Sequence, residues 1–127
     1  MKSKIFWTVV LILVALVAAG AIVWYISYES APGQYDQFAE CISQSGATFY
    51  GAFWCPHCQA QKALFGKSAE KLPYVECSTP DGSAQTQVCI DKGIQGYPTW
   101  YFANGTSTEG ELSFAQLSNY TGCAVPQ

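Results

Sequence analysis

Residues 47–58 read ATFYGAFWCPHC and end in two cysteines, Cys55 and Cys58, that two residues separate. The uncharged, aromatic-rich part of this stretch predicts a strand buried on both faces, as in a parallel sheet. Residues 59–65 predict a helix, and Pro56 suits its first turn because a proline lacks the N–H that this turn leaves unpaired. Two thiols at this spacing can close a disulfide and open it again, which points to thiol–disulfide exchange.

Hydrophobic periodicity and turn residues around this unit predict an α/β domain. The predicted order is helix, strand, helix, strand, helix, strand, strand, helix, over residues 35–44, 47–54, 56–70, 72–77, 83–92, 99–103, 106–109 and 113–120. Ser83 and Ser113 are predicted N-caps, and Gly93 is a predicted helix end. Asn104-Gly105 predicts a tight hairpin.

The N-terminal part of the chain is apolar and precedes this domain. Residues 5–26 carry no charge. As a helix rising about 1.5 Å per residue, they span the roughly 30 Å of a bilayer's hydrocarbon core. We therefore expect a transmembrane signal anchor over residues 1–28, in contact with membrane lipid. A linker is expected over residues 29–34 and the folded domain over residues 35–127.

Lysines predict the orientation of this anchor. Lys2 and Lys4 precede the apolar stretch, and lysines on a short N-terminal side keep that end in the cytoplasm. The domain of this single-pass protein is then extracytoplasmic, in the periplasm or on the cell surface. A cleaved signal peptide is the alternative, because residues 19–21 match a cleavage pattern. The apolar stretch continues beyond them through Trp24 and Tyr25, which favours an uncleaved anchor.

Composition excludes some functions and leaves others open. The sequence has no arginine, and two of its six lysines precede the apolar stretch, which leaves four lysines against nine acidic residues. This negative balance argues against a nucleic-acid partner. Six cysteines in an exported chain also fit a purely structural disulfide framework. With one histidine and no second Cys/His pair at finger spacing, no metal is expected.

Two motifs resemble the thioredoxin fold: WCPHC at residues 54–58, and GYPT at residues 96–99, which leads into a strand and a hairpin. The resemblance covers about residues 35–122. It implies a thioredoxin-like three-layer fold, with a central mixed sheet flanked by helices. It also implies that Pro98 is a catalytic-site cis-proline, which denies approaching sulfurs an N–H. No cofactor is expected beyond the redox-active disulfide of Cys55 and Cys58.

The resemblance assigns roles within the motif. Cys55 is expected to be the exposed nucleophile, and Cys58, one turn further in, resolves the mixed disulfide. The helix N-terminus favours a thiolate at Cys55. His57 adds a positive neighbour when protonated, unless it merely fills a variable position. Trp54 and Tyr97 are the expected substrate-binding residues, and the backbone of Tyr97 pairs with an extended client.

The remaining four cysteines are expected to form structural disulfides. Cys77 and Cys89 would join the end of a strand to the next helix, or else form a second redox pair that relays electrons. Cys41 and Cys123 would tie the first helix of the domain to the end of the last. In the alternative, Cys123 is free or pairs with another chain.

A closer similarity is to the thioredoxin-like domain of bacterial vitamin K epoxide reductase homologues. It involves residues 49–58, 64–67 and 74–77 and the pair Cys77 and Cys89. The similarity implies reduced client proteins as substrates. It also implies a membrane quinone reductase, of the vitamin K epoxide reductase or DsbB type, as electron acceptor. DsbA-type oxidants carry the same Cys-Pro-His-Cys sequence, so oxidation of clients is the expected direction.

Phe49 departs from the thioredoxin pattern. Many thioredoxins carry a buried acid at this position, which helps to deprotonate the second cysteine. Efficient reduction is therefore not expected unless Glu76 or a water substitutes. Two alternatives remain: an extracytoplasmic disulfide reductase or isomerase fed by a membrane electron donor, and a non-catalytic, disulfide-stapled binding module.

Overall fold

The computed structural model describes residues 1–126, and Gln127, the last residue of the predicted domain, lies outside the described residues. Contacts divide the chain into two units, the first of which, Met1–Ala31, consists mainly of helix α1 (Lys2–Glu29). Its stretch Ser3–Glu29 is long and apolar enough to cross a membrane, and its apolar side chains are exposed. By length and composition, α1 fits a membrane anchor or a signal sequence.

The second unit, Pro32–Gln127, is built on a four-stranded mixed sheet. Its elements are α2 (Asp36–Gln44), β1 (Thr48–Gly51), α3 (Pro56–Phe65), a 3-10 helix (Gly66–Lys71), β2 (Tyr74–Glu76), α4 (Gln87–Lys92), β3 (Thr99–Tyr101), β4 (Ser107–Glu109) and α5 (Phe114–Thr121). The strand order is β2-β1-β3-β4, in which β1 is parallel to β2 and antiparallel to β3, and β3 is antiparallel to β4. This confirms the thioredoxin-like fold.

The two faces of the sheet carry separate cores, because successive residues of a strand point to opposite sides. Phe49 in β1 belongs to the larger core, where its ring stacks on Trp100 with 4.7 Å between centroids. Tyr50 belongs to the smaller core, together with Cys77 and Cys89. The larger core also contains both cysteines of the WCPHC motif. The motif and the second cysteine pair therefore lie on opposite faces of the sheet.

Several elements are shorter than predicted. α3 ends at Phe65 instead of near residue 70, because Gly66 takes a φ of +54° and the chain continues as a 3-10 helix. All four strands are shorter as well. β1 ends at Gly51 because residues 52–55 form a turn, in which the amide of Cys55 donates to the carbonyl of Ala52. This turn places the WCPHC motif just beyond the C-terminal end of β1, an interior strand of the sheet.

Helix caps are partly as predicted. The N-cap of α4 is Thr86, so the prediction of Ser83 was wrong. Ser83 is held in the preceding loop instead, where its amide and its hydroxyl both donate to the carboxylate of Asp81. Gly93 ends α4 in a left-handed conformation, as predicted. Ser113 caps α5 through a reciprocal capping box, which confirms the other predicted N-cap.

Candidate active site

The two cysteines of the motif lie at the N-terminus of α3. Cys55 is the N-cap residue, and Cys58 lies in the first turn, after Pro56 at the first helical position. Both are free thiols. Cys58 is 1% exposed, but Cys55 is only 5% exposed, so the prediction of an exposed nucleophile was wrong. The reason is that the loop before β3 lies against the Cys55 sulfur.

That loop contributes Tyr97 and Pro98. The Cys55 thiol donates to the Tyr97 carbonyl oxygen, at an S···O distance of 3.6 Å. The peptide bond between Tyr97 and Pro98 is cis, and Pro98 is fully buried. Because a proline has no N–H, the loop offers the sulfur a carbonyl acceptor but no amide donor at residue 98.

Trp54 and Tyr97 form an aromatic rim beside Cys55. Their rings meet edge to face, with 5.9 Å between centroids. Trp54 is half exposed, and its Nε1 donates to Ser78 Oγ at 2.9 Å. Gln85 Nε2 donates to the Tyr97 hydroxyl at 2.8 Å. These bonds hold both predicted substrate-binding residues next to the reactive sulfur and leave part of Trp54 accessible.

His57 lies at the exposed edge of the motif. Its side chain is 71% exposed, and its Nδ1 is 2.7 Å from Oε1 of Glu111, in the loop between β4 and α5. Sequence reasoning missed Glu111, because no local pattern connects residues so far apart in the chain. The carboxylate offsets the positive charge of a protonated His57. The expected support of His57 for a Cys55 thiolate is therefore weakened.

Burial dominates the chemistry of Cys58. It is the main cause that raises the pKa of Cys58 to about 12, and the nearby Cys55 thiol acts in the same direction. A backbone hydrogen bond from Ala52 and the charge of Lys62 act in the opposite direction. Near neutral pH, the Cys58 thiol therefore stays protonated unless a base accepts its proton.

Gly51 allows Cys58 to approach the sheet. A Cβ atom at Gly51 would lie 2.9 Å from Cys58 Sγ, which is closer than Cβ atoms come to their neighbours. Sequence reasoning missed this role, although a glycine inside a strand is itself a signal of close approach.

The other four cysteines form two disulfides, Cys41–Cys123 and Cys77–Cys89, which are the pairs expected from the sequence. Cys77 and Cys89 are completely buried, on the face of the sheet opposite the motif. Because exchange requires sulfurs in contact, this placement favours a structural role over an electron relay. Cys41–Cys123 ties α2 to the segment that follows α5.

The chemistry that this arrangement supports is two-electron exchange between thiols and disulfides. Two free thiols share the first turn of one helix, and one of them contacts the loop with the cis-proline. Within residues 1–126, no group of three or more His, Cys, Asp or Glu side chains is placed to hold a metal ion.

Comparison with known proteins points the same way. The family described as thioredoxin matches residues 32–120. Thiol-disulfide oxidoreductase LTO1 of Arabidopsis thaliana is 43% identical over 94 residues, which cover 70% of this chain and 24% of the relative. A thioredoxin domain-containing protein 5 homolog of Drosophila melanogaster is 34% identical over 100 residues, covering 67% and 23%. A protein disulfide-isomerase of Aspergillus niger is 30% identical over 105 residues, covering 76% and 20%.

This chain spans about a quarter or less of the length of these relatives. The similarity therefore concerns only part of each relative. The family match covers the sheet, the cysteine motif, the cis-proline loop and most of α5. The chain belongs to the thioredoxin family and carries a domain of the thiol–disulfide oxidoreductase type.

Proposed function

We propose that this chain is a membrane-anchored, extracytoplasmic thiol–disulfide oxidoreductase that oxidises client cysteines and passes the electrons to a membrane quinone reductase. The observation that carries the proposal is the placement of Cys55 at the N-terminus of α3, on the same turn as Cys58. Free N–H groups and the helix dipole favour negative charge there. A stabilised thiolate makes the corresponding disulfide a better oxidant.

The oxidising cycle needs both cysteines. A client thiolate attacks Cys55 Sγ in the Cys55–Cys58 disulfide, and Cys58 leaves and takes up a proton. A second client thiolate then attacks the client sulfur of the mixed disulfide and releases Cys55. The client gains a disulfide, and the chain holds the two electrons as two thiols, which an acceptor must remove before the next cycle.

The direction of transfer is tested by the equilibrium potential of the Cys55–Cys58 pair against glutathione. Reference potentials run from about −270 mV for thioredoxin to about −120 mV for DsbA. The oxidant proposal predicts a value closer to the DsbA end of this range. A potential near that of thioredoxin refutes it.

Client capture is tested with the variant Cys58→Ser, which cannot resolve a mixed disulfide. We expect this variant to retain clients through Cys55 in complexes that dithiothreitol releases. The matched variant Cys55→Ser, which lacks the nucleophile, should retain far less. A non-catalytic binding module would bind the same partners, without disulfide links, in both variants.

For the electron acceptor we favour a quinone reductase of the vitamin K epoxide reductase or DsbB type. The support is the similarity of residues 49–58 and 74–77 to the thioredoxin-like domain of bacterial vitamin K epoxide reductase homologues, together with an apolar helix that fits a membrane anchor. Membranes that contain such a reductase should reoxidise the reduced chain while their quinone is reduced. Failure of this coupled reaction with membranes of the native host contradicts the assignment.

The anchor is proposed to have its N-terminus in the cytoplasm, because Lys2 and Lys4 precede the apolar stretch. We expect the chain to remain in the membrane after alkaline extraction, and protease added from outside to remove the domain of intact spheroplasts. A mature N-terminus just after residues 19–21 would instead identify a cleaved signal peptide.

A reductase or isomerase fed by a membrane electron donor is the second candidate. The similarity to a protein disulfide-isomerase favours it, and so does an acid, Glu76, on the sheet face that contacts Cys58. Two rates separate the candidates: reactivation of a test protein with scrambled disulfides by the reduced chain, and disulfide formation in the reduced test protein by the oxidised chain. This candidate predicts that the first rate is higher. The opposite ranking supports the oxidant.

A further inference from the structure

Cys58 meets two neighbouring strands on one face of the sheet. In the parallel pair of β1 and β2, Phe49 lies opposite Tyr74, and Gly51 lies opposite Glu76, so these four residues share a face. The ideal Cβ position at Gly51 is 2.9 Å from both Cys58 Sγ and Tyr74 Cε2. The sulfur and the Tyr74 ring therefore come together at Gly51. Phe49, fully buried on the same face, provides no proton acceptor.

Three hydrogen bonds hold the Glu76 carboxylate on this face. Its Oε2 accepts from the Tyr74 hydroxyl at 2.7 Å. Its Oε1 accepts from the amide of Phe53 at 3.2 Å and from the amide of Ser78 at 2.9 Å. One oxygen is thus tied to the turn that precedes the cysteines, and the other to the ring that meets Cys58 at Gly51.

A cavity connects the Tyr74 side chain with solvent. It has a volume of about 370 Å³ and is lined by Lys62, Ala69, Glu70, Leu72 and Tyr74. Lys62 Nζ lies over the Tyr74 ring, 3.2 Å from its centroid. Water in this cavity can therefore reach the Tyr74 side chain, whose hydroxyl donates to Glu76.

The charged and titratable groups around Cys58 come from three elements, and β1 contributes none. They are Cys55 at the N-cap of α3, Lys62 on α3, and Tyr74 and Glu76 on β2, and Glu70 on the 3-10 helix lines the cavity beside Tyr74. Of the two acids, Glu76 is the one that accepts a hydrogen bond from the Tyr74 hydroxyl. The Tyr74 ring and the Cys58 sulfur both lie next to Gly51.

We propose that Glu76 accepts the proton of Cys58 when Cys58 closes the active-site disulfide, and that Tyr74 positions the Glu76 carboxylate for this transfer. The proposal rests on the thiol–disulfide exchange proposed above. It identifies a substitute for the acid that Phe49 replaces.

The proposed transfer takes place when a partner disulfide reoxidises the chain. Cys55 is first joined to one partner sulfur in a mixed disulfide. The Cys58 proton passes to Glu76, directly or through one water, and the Cys58 thiolate attacks Cys55 Sγ. The bond between Cys55 and the partner breaks, and the partner sulfur leaves as a thiolate. The two thiols of the chain become a disulfide, and the partner disulfide is reduced by the same two electrons.

The test follows the reaction of the reduced full chain, in detergent micelles, with the aromatic disulfide dithiobis-nitrobenzoate. Cys55 attacks first and releases one coloured thiolate, and Cys58 then closes the disulfide and releases the second. Stopped-flow absorbance separates these two phases. We expect Glu76→Gln to slow the second phase by about 10²-fold at pH 7, the lower end for a lost acid–base group, and to leave the first phase unchanged. The glutamine retains an oxygen for the backbone amides.

Two further variants make the outcome specific. Tyr74→Phe keeps the ring but loses the hydroxyl that bonds Glu76, and should slow the second phase less and shift its pH profile. Glu70→Gln removes the acid that lines the cavity beside Tyr74 and should leave both phases unchanged. An unchanged second phase in Glu76→Gln, or equal slowing in Glu70→Gln, overturns the proposal. If the unaltered chain releases no coloured thiolate, the proposed exchange activity itself has failed.

Discussion

Replacing Gly51 by alanine tests how closely Cys58 approaches the sheet. The added methyl group would lie 2.9 Å from Cys58 Sγ, 2.9 Å from Tyr74 Cε2 and 3.4 Å from Cys58 Cβ. Gly51 lies in β1 and is not among the glycines with positive φ, so its backbone suits alanine. Any destabilisation therefore comes from crowding of the side chains.

The expected magnitude combines two opposing effects. Overfilling a packed core costs about 1–3 kcal/mol. Alanine in a strand gains about 0.5–1 kcal/mol over glycine, because the glycine loses more backbone freedom on folding. These ranges leave a net loss of about 0–2.5 kcal/mol in the free energy of unfolding, and the two contacts at 2.9 Å place Gly51→Ala in its upper half.

The assay is denaturant unfolding of the reduced full chain in micelles, followed by near-ultraviolet circular dichroism of the aromatic core. The variant should shift the midpoint and leave the denaturant dependence unchanged. In a Cys58→Ala background the sulfur is absent, and the contacts with Tyr74 Cε2 and with the Cβ atom of residue 58 remain, so the penalty should fall by about 0.5–1 kcal/mol. An equal penalty in both backgrounds, or a stabilising Gly51→Ala, refutes the proposed contact.

Three other changes have defined outcomes. Ser113→Ala removes the capping box of α5 and should lower the free energy of unfolding by about 1 kcal/mol; an unchanged midpoint contradicts this. Glu111→Gln removes the counter-charge of His57, so at pH 6 the potential of the cysteine pair should rise by at most about 20 mV, the equivalent of an exposed ion pair; a fall contradicts it. Cys55→Ser removes the contribution of the Cys55 thiol to the raised pKa of Cys58 but leaves burial, the largest cause, so alkylation of Cys58 should keep accelerating well above the pH of about 8.5 at which an ordinary thiol levels off. The pKa of Cys58 is higher in the folded chain than in the unfolded chain. The contribution of Cys58 to the free energy of unfolding is therefore complete below the unfolded pKa and declines as pH rises toward 12.

The fold was predictable because its signals are local. The aromatic run before Cys55, the proline after it, and turn residues such as Gly93 each act within a few residues. Their combined order gave the correct sequence of strands and helices. The errors are local as well: Gly66 ends α3 early because it takes a positive φ, and Asp81 recruits the predicted cap Ser83.

The site was less predictable because its decisive contacts join distant segments. The pairing of His57 with Glu111 depends on how the loop after β4 folds back on the motif. The burial of Cys55 depends on the loop before β3. The resemblance suggested the loop but not how completely it covers the sulfur. Exposure of a side chain depends on all of its neighbours, whereas a motif specifies only those adjacent in sequence.

The two cysteines differ through their environments and hardly through their exposure. Cys55 is the N-cap residue of α3, and the free N–H groups of a helix N-terminus favour negative charge. Burial raises the pKa of Cys58 to about 12, so near neutral pH this thiol is protonated and attacks only after it has lost its proton. Because Glu111 offsets His57, the histidine alone is a weak basis for assigning the direction of electron flow. The helix N-terminus at Cys55 is then the feature on which the expected oxidising direction mainly rests, whereas Glu76 is proposed to act on how fast Cys58 closes the disulfide. Measuring the potential of the cysteine pair in Glu76→Gln and Glu111→Gln side by side would compare how strongly each carboxylate affects it.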